Sequence, residues 1–227
     1  MNIAIIPAKA NSRRVPNKNI LNFFGKEMIY YSISQALKSK LFDEVIVSTD
    51  SEKISKISKK YGAKIYFKRP KKLSDQSTGM VDVIKHSIRW LLNNNIKPNI
   101  ICCIFPTAPT IQSKDLKRAQ RIFLKKKPDF LISAVNNQIN FNRSFIGSNK
   151  KKGIKKISPN KFDKPFFSKK IYYDAGQFYF ATANTWLNSS TVFTKNSMLF
   201  EIEEIKARDF NTRIDLKFLK ILFKNLK

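Results

Sequence analysis

Apolar residues follow two alternating rhythms along this chain. Short runs that are mostly apolar or β-branched fall at residues 3–7, 44–48, 64–67, 99–105 and 129–135. Unbroken runs of that length predict strands covered on both faces. Between them the spacing lengthens to that of a helix. Ile29, Ile33, Ala36 and Leu37 recur at i, i+4, i+7 and i+8, which predicts one buried stripe. Residues 51–61 put Ile54, Ile57 and Ser58 on one face, with Ser51 or Asp50 as the cap. Val81, Ile84, Ile88, Leu91 and Leu92 mark a third helix, and Ser113 followed by Asp115 and Leu116 starts a fourth. Strand and helix in alternation predict an α/β fold with a doubly wound, mostly parallel sheet.

The alternation stops after Val135. Residues 136–170 are polar, basic and irregular, punctuated by Gly147, Gly153, Pro159 and Pro165. They read either as a loop or as an arm of short strands that needs a partner surface. Residues 171–181 alternate well enough for a strand, and 198–202 read as another. From about Arg213 an amphipathic helix places Ile214, Phe218, Ile221, Leu222 and Asn225 at helical spacing. There is no internal repeat, so residues 1–227 read as a single domain carrying 136–170 as its arm.

Composition narrows the partners. Forty-four Lys and Arg against 16 Asp and Glu give a formal charge of +28. Clustered cations would suit nucleic acid, but these are mostly Lys and spread through the chain. No zinc spacing, basic zipper or RNA-binding aromatic signature accompanies them, so nucleic acid is not the expected partner. A positive field still draws small anions. No apolar stretch approaches a membrane span, and the first apolar run reads as a strand rather than a leader. A cytoplasmic protein is expected. Adjacent Cys102 and Cys103 would point to opposite faces of a strand as small hydrophobes in a reduced compartment.

The chemistry gathers where the first strand ends. IAIIPAKANSRRVPNKNI, residues 3–20, passes at once into a loop holding Lys9, Arg13, Arg14 and Lys18, with Asn11, Ser12 and Asn19 among them. A buried strand delivering such a loop to its C-terminal end builds anion and nucleotide sites in α/β sheets. The loop matches neither GxxxxGK[ST] nor GxGxxG. Small residues (Ala8, Ala10, Ser12) allow close backbone approach, and the cations offer phosphate charge. Composition by itself is equally consistent with a solvated basic loop.

The same stretch resembles the first motif of the CMP-sialic acid synthetase (acylneuraminate cytidylyltransferase) family, roughly IPARxxSxxxPxKNI, with Ser12, Pro16, Lys18, Asn19 and Ile20 in register. The likeness continues through LFDEVIVSTDSEKI (41–54), FKRPKKLSDQSTG (67–79), FPTAPT (105–110) and RDFNT (208–212), the last similar to an acidic D-x-D-T segment. Two stretches are most similar to the pseudaminic acid cytidylyltransferase branch: CCIFPTAPTIQSKDL, with Phe105 where sialic-acid enzymes carry Gln, and YYDAGQFYFA, close to YHDAGQFYW. Arg143 in INFNRSF matches a basic position of that branch.

The resemblance implies a Rossmann-like nucleotidyltransferase fold and an intertwined homodimer whose arm, 136–170, brings Arg143 or Lys164 toward the other subunit's sugar site. It implies transfer of CMP from CTP to the anomeric hydroxyl of a nine-carbon sugar acid, with release of pyrophosphate. Pseudaminic acid is the expected acceptor, for surface glycan or flagellin glycosylation. Sialic, legionaminic or 3-deoxy-octulosonic acid and a degenerate CTP-binding homologue are the alternatives. Lys18 is expected on the α-phosphate, and Lys9, Asn11, Ser12 and Arg13 along the nucleotide's phosphates. Ala8, Asn19 and Arg69 are expected at the base and ribose, with Ser77, Thr78 and Gly79 nearby. Gln112, Arg143, Asp174, Gln177 and Tyr179 would hold the sugar acid. Asp209 would ligate Mg²⁺, joined by Asn211. The chain departs from the family pattern at Lys9 (usually Arg), Asn211 (usually Asp) and Tyr173 (usually His). His86, Trp90 and Trp186 read as structural.

Overall fold

The computed structural model describes residues 1–75, 77–136, 145–148, 151–156, 171–207 and 210–226, the two short middle spans as backbone alone. Met1–Val135 with Asp174–Lys227 form one compact unit, and Asn136–Tyr173 a second.

In chain order the first unit begins with β1 (Asn2–Pro7), the short pair β2 (Asn22–Phe23) and β3 (Lys26–Glu27), α1 (Met28–Ser39), β4 (Glu44–Ser48), α2 (Glu52–Lys60), α3 (Met80–Asn93), β5 (Ile100–Ile104) and α4 (Ser113–Lys126). Next come β6 (Leu131–Asn136), then β7 (Phe145–Ser148) and β8 (Lys151–Lys156), which pair antiparallel with a register shift between Gly147 and Ser148. The chain closes with β9 (Tyr172–Thr182), α5 (Ala183–Asn188), β10 (Met198–Glu201) and α6 (Arg213–Asn225).

Six strands form one sheet in the order β10-β6-β9-β5-β1-β4. β1 runs parallel to both β4 and β5, and β10 parallel to β6, while β9 runs antiparallel to β5. Alternation along the strands divides the core between two faces. Ala4, Ile6, Val45, Val47 and Cys102 meet Ile29 and Ile33 of α1, Ile54 of α2, and Leu116 and Phe123 of α4. Ile3, Ile5, Ile46, Ile101 and Cys103 meet Ile84, Ile88 and Leu91 of α3 and Trp186 of α5. This is why the strand runs are apolar without a break. Each fully buried Ile or Phe contributes about 1.5–3 kcal/mol relative to exposure. The free thiols of Cys102 and Cys103 lie on opposite faces, as their adjacency requires, and burial pushes both up.

Three expectations are corrected. Residues 64–67 form no strand: the chain makes isolated bridges at Lys64 and Lys68, then turns at Pro70, which has no N–H for a ladder. Leu37 is 43% exposed, because i+8 lies about 80° round the helix from Ile29. Ile214, Phe218 and Ile221 are 62%, 48% and 58% exposed, so the apolar face read for α6 points outward. Asp215 decides this. Its carboxylate closes a capping box with Thr212 and accepts from the Asn211 N–H at 3.0 Å. That contact turns 215 inward, and Leu219 and Phe223, one and two turns on, follow it onto Val15, Phe23 and Phe210.

Candidate active site

The loop after β1 is fixed before any ligand is considered. The Ala8 N–H donates to Ser48 O at 2.9 Å and extends the pairing of β1 with β4. The Ala10 N–H donates to Asp50 Oδ1 at 2.8 Å, and Asn19 Nδ2 closes the loop on Lys9 O at 2.9 Å. No glycine is needed: the left-handed position falls on Asn17 (φ 54°), a residue type that tolerates it. A short 3₁₀ turn, Lys18–Ile20, then leads toward α1.

Lys9, Ser12, Arg13, Arg14, Lys18 and Asn19 line one side of a cleft of about 340 Å³, with Phe105, Pro106 and Thr107 on the other. No carboxylate is among these lining residues. Such a cleft concentrates positive potential and suits a polyphosphate. Ala8 is buried beneath the loop, and exposed Asn11 lies outside the cleft lining.

The far end of the chain returns to this loop. Lys18 Nζ sits 5.3 Å from the ring centroid of Phe210, which is fully buried. Arg14 Nη2 donates to Asn211 Oδ1 at 2.7 Å, across 197 positions of sequence. Asp209, Arg143 and Lys164 lie outside the described residues.

Arg69 is 3% exposed behind the loop. Its N–H donates to Thr49 O at 2.8 Å and its Nε to Ser74 Oγ at 3.1 Å. Nη2 lies 3.7 Å from Asp50 Oδ1. Burial lowers the guanidinium's pKa, and the Asp50 charge opposes that shift. Asp50 therefore grips both the loop and Arg69, a role its sequence reading as a helix cap missed. Ser51 is the cap of α2, its Oγ accepting from Ile54 N at 3.3 Å.

Asp75 organises the next wall. Its carboxylate accepts from Thr78 N at 2.7 Å, Thr78 Oγ1 at 2.6 Å and Ser77 Oγ at 3.0 Å, and these bonds hold its pKa below the usual carboxylate value. Lys9 Nζ donates to Asp75 O at 3.1 Å, tying this turn to the loop. Ser77 and Thr78 are thus engaged with Asp75, and Gly79 caps α3.

The residues expected at the sugar acid separate. Phe105, in the cleft, meets Tyr179 edge-on at 5.2 Å. The Tyr179 hydroxyl donates to Asp174, whose other oxygen accepts from Gly176 N at 2.8 Å. These form one connected wall. Gln112 instead lines a different cleft, beside Tyr30, Tyr31 and Phe223. Gln177 is 2% exposed, and its Nε2 donates to Lys206 O at 2.6 Å and to Thr110 Oγ1 at 3.2 Å. It braces the chain rather than facing the cleft. Lys206 is buried too, its Nζ 3.4 Å from Asp115 Oδ2 and 2.7 Å from Glu203 Oε1. Side chain and carbonyl together lock the 3₁₀ turn Glu204–Lys206 just before the segment that reaches Lys18 and Arg14.

A cytidylyltransferase family model matches residues 3–225. The chain belongs to the cytidylyltransferase family. This cytidylyltransferase is 36% identical over 230 aligned positions to a pseudaminic acid cytidylyltransferase of Campylobacter jejuni, covering 98% of this chain and 96% of that one. It is 32% identical to the CMP-N,N′-diacetyllegionaminic acid synthase of the same species, covering 99% and 96%. A CMP:2-keto-3-deoxy-manno-octonic acid synthetase solved with CTP superposes with a TM-score of 0.73 at 17% identity, over 99% of this chain and 98% of that one. That match identifies the Rossmann-like nucleotidyltransferase fold. CTP is the family's co-substrate.

Asn211 does not fit the metal role expected of it. Its amide oxygen already accepts from a guanidinium, and a cation at that distance opposes a second one on the same atom. Among the described residues no group of three or more His, Cys, Asp or Glu could hold an ion. Nor is any described helix long and apolar enough to cross a membrane.

Proposed function

We propose that this chain transfers CMP from CTP to the anomeric hydroxyl of pseudaminic acid and releases pyrophosphate. The observation that carries the reading is the cationic cleft at the end of β1, with Lys18 and Arg14 against residues 210–211, in a chain so similar to a named pseudaminic acid cytidylyltransferase. The sugar hydroxyl attacks the α-phosphorus, and the bond from that phosphorus to the bridging oxygen of pyrophosphate breaks. Lys18 donates to the α-phosphate and offsets the charge that grows there. Lys9, Ser12 and Arg13 hold the β- and γ-phosphates, with Asn11 at the loop's outer edge. Positioning and charge supply the catalysis, as phosphoryl chemistry requires.

Arg69, Ala8 and Asn19 support the base and ribose end by fixing the loop's floor. Phe105, Tyr179 and Asp174 form the wall for the sugar acid, and Arg143 suits its carboxylate through a bidentate contact. Mg²⁺ accompanies CTP as a counterion, with Asp209 as the acidic residue assigned to meet it. The protein works as a cytoplasmic homodimer, with 136–170 as the arm between subunits and nucleic acid no partner.

The test mixes protein, CTP and Mg²⁺ with pseudaminic, N,N′-diacetyllegionaminic, N-acetylneuraminic and 3-deoxy-octulosonic acids and follows pyrophosphate. Turnover with pseudaminic acid at least about tenfold above the others in kcat/KM is expected, within the range a pocket can discriminate. Turnover confined to another acid would sink the substrate assignment. Light scattering reads the dimer, and a monomer at micromolar concentration overturns it.

A further inference from the structure

Three large apolar side chains stand exposed on one helix. Ile214, Phe218 and Ile221 are exposed on α6, whereas α1, α3 and α4 expose one such residue each, Leu37, Leu92 and Leu124. With 3.6 residues per turn the three fall within roughly 60° of arc, so they form a stripe. Exposed Arg213, Lys217, Lys220 and Lys224 line one edge of that stripe, about 60–120° round the axis from Ile214. The acid of α6, Asp215, is turned the other way, buried and bonded in the capping box. α4 provides an internal contrast: it exposes Lys114, Lys117, Arg118, Arg121, Lys125 and Lys126 with Leu124 alone among them.

The inner face of α6 is already committed. Leu219 and Phe223 pack on Val15, Phe23 and Phe210, so the helix cannot roll its stripe inward without exposing them. Whatever covers the outer face has to accept apolar side chains and a row of cations together, on a patch one helix wide. A stable protein interface takes about 20–30 residues a side. α6 offers seven side chains. The surface of an anionic bilayer asks for less. Acyl chains take the stripe, headgroup phosphates take the cations, and long Lys stems let the ammonium groups stay at headgroup level while the stripe lies deeper.

We propose that α6 lays its outward face on the surface of an anionic lipid bilayer. The helix lies in the plane of the interface and does not span it. The bilayer is then on the side of α6 away from the basic loop, whose Val15 packs on the inner face. The contact is independent of the transfer reading.

Co-sedimentation with vesicles at physiological ionic strength tests it, comparing phosphatidylcholine alone with equal parts of phosphatidylcholine and phosphatidylglycerol. The full chain should bind the anionic vesicles at least about tenfold more strongly, since each cation near such a surface contributes about fivefold. Phe218→Ser with Ile221→Ser should lose about tenfold or more although every cation remains. Lys217→Glu with Lys220→Glu should lose as much. The same charge change on α4, Lys117→Glu with Lys125→Glu, should lose less than about threefold, because salt screens the more distant charges. In Phe218→Trp the added emission should shift to the blue on anionic vesicles as the indole enters the interface. CTP turnover without lipid should stay within about twofold in all these variants, which change exposed residues away from the cleft lining.

Wild-type binding no stronger to anionic than to neutral vesicles overturns the proposal and leaves an acidic protein surface as the occupant. Undiminished binding by the serine variant, or an unshifted tryptophan, overturns it too. So does light scattering that shows the serine variant, but not wild type, as a monomer, because a second copy of the chain then covers the face. If the serine variant fails to fold, the α6 glutamate pair and Phe218→Trp still decide.

Discussion

Lys206→Met tests how much the buried charges around the 3₁₀ turn contribute. The side chains of Lys206 and Asp115 are 5% and 6% exposed and their charged atoms lie 3.4 Å apart. Glu203 is nearer to Lys206 at 2.7 Å, but its side chain is 68% exposed. Burial, not distance, decides which contact matters. An exposed pair contributes about 0–1 kcal/mol. Removing one partner of a buried pair costs about 3–5 kcal/mol, because the other charge is left stranded. Arg118, 3.7 Å from the other oxygen of Asp115 but 57% exposed, offsets part of that cost and points to the lower end. For a chain of this size about 3 kcal/mol lowers Tm by roughly 6–12 °C. Urea and thermal unfolding, followed by the fluorescence of buried Trp186, read the loss. Glu203→Ala should cost far less than Lys206→Met, because its carboxylate stays in water, and Lys206→Met with Asp115→Leu should recover most of what the single change loses. A loss below about 1 kcal/mol for Lys206→Met, or a double variant no better than the single one, would refute the assignment of stability to the buried pair.

Two further outcomes follow from named contacts. Asp50→Asn keeps an acceptor for the Ala10 N–H but leaves buried Arg69 without its counter-charge, so it should destabilise by about 2–4 kcal/mol and raise KM for CTP more than it lowers kcat; unfolding curves and CTP kinetics check both. Burial first, then the charges of Arg69 and Lys72, hold His86 below its ordinary pKa of 6.5. The folded chain therefore favours neutral His86. Its contribution is complete above pH 6.5 and is lost as pH falls below it, so His86→Leu should flatten the acid limb of the stability profile while leaving CTP turnover within about twofold.

The strand and helix order was legible because burial on both faces writes itself as an unbroken apolar run. Residues 3–7 and 44–48 read correctly for this reason, and so did the cations delivered by the first of them. The motif resemblance carried the family. Other features left no local mark. Asp50 and Asp75 look like surface acids until Ala10, Arg69, Thr78 and Lys9 are seen around them. Gln177 looks like a cleft residue until the carbonyl of Lys206 is found beneath it.

By itself the sequence determined the period of each element, the two-faced core, the basic loop at the end of β1 and the family to which they belong. The tertiary structure decided the rotation of α6, the bracing of Gln177 against the Lys206 carbonyl, the antiparallel entry of β9 beside β5, and the meeting of Arg14 with Asn211. The division has a physical cause. Periodicity and average burial are properties of neighbouring residues, whereas the partner of a buried polar group is set by whichever distant segment the packed core brings within hydrogen-bonding reach.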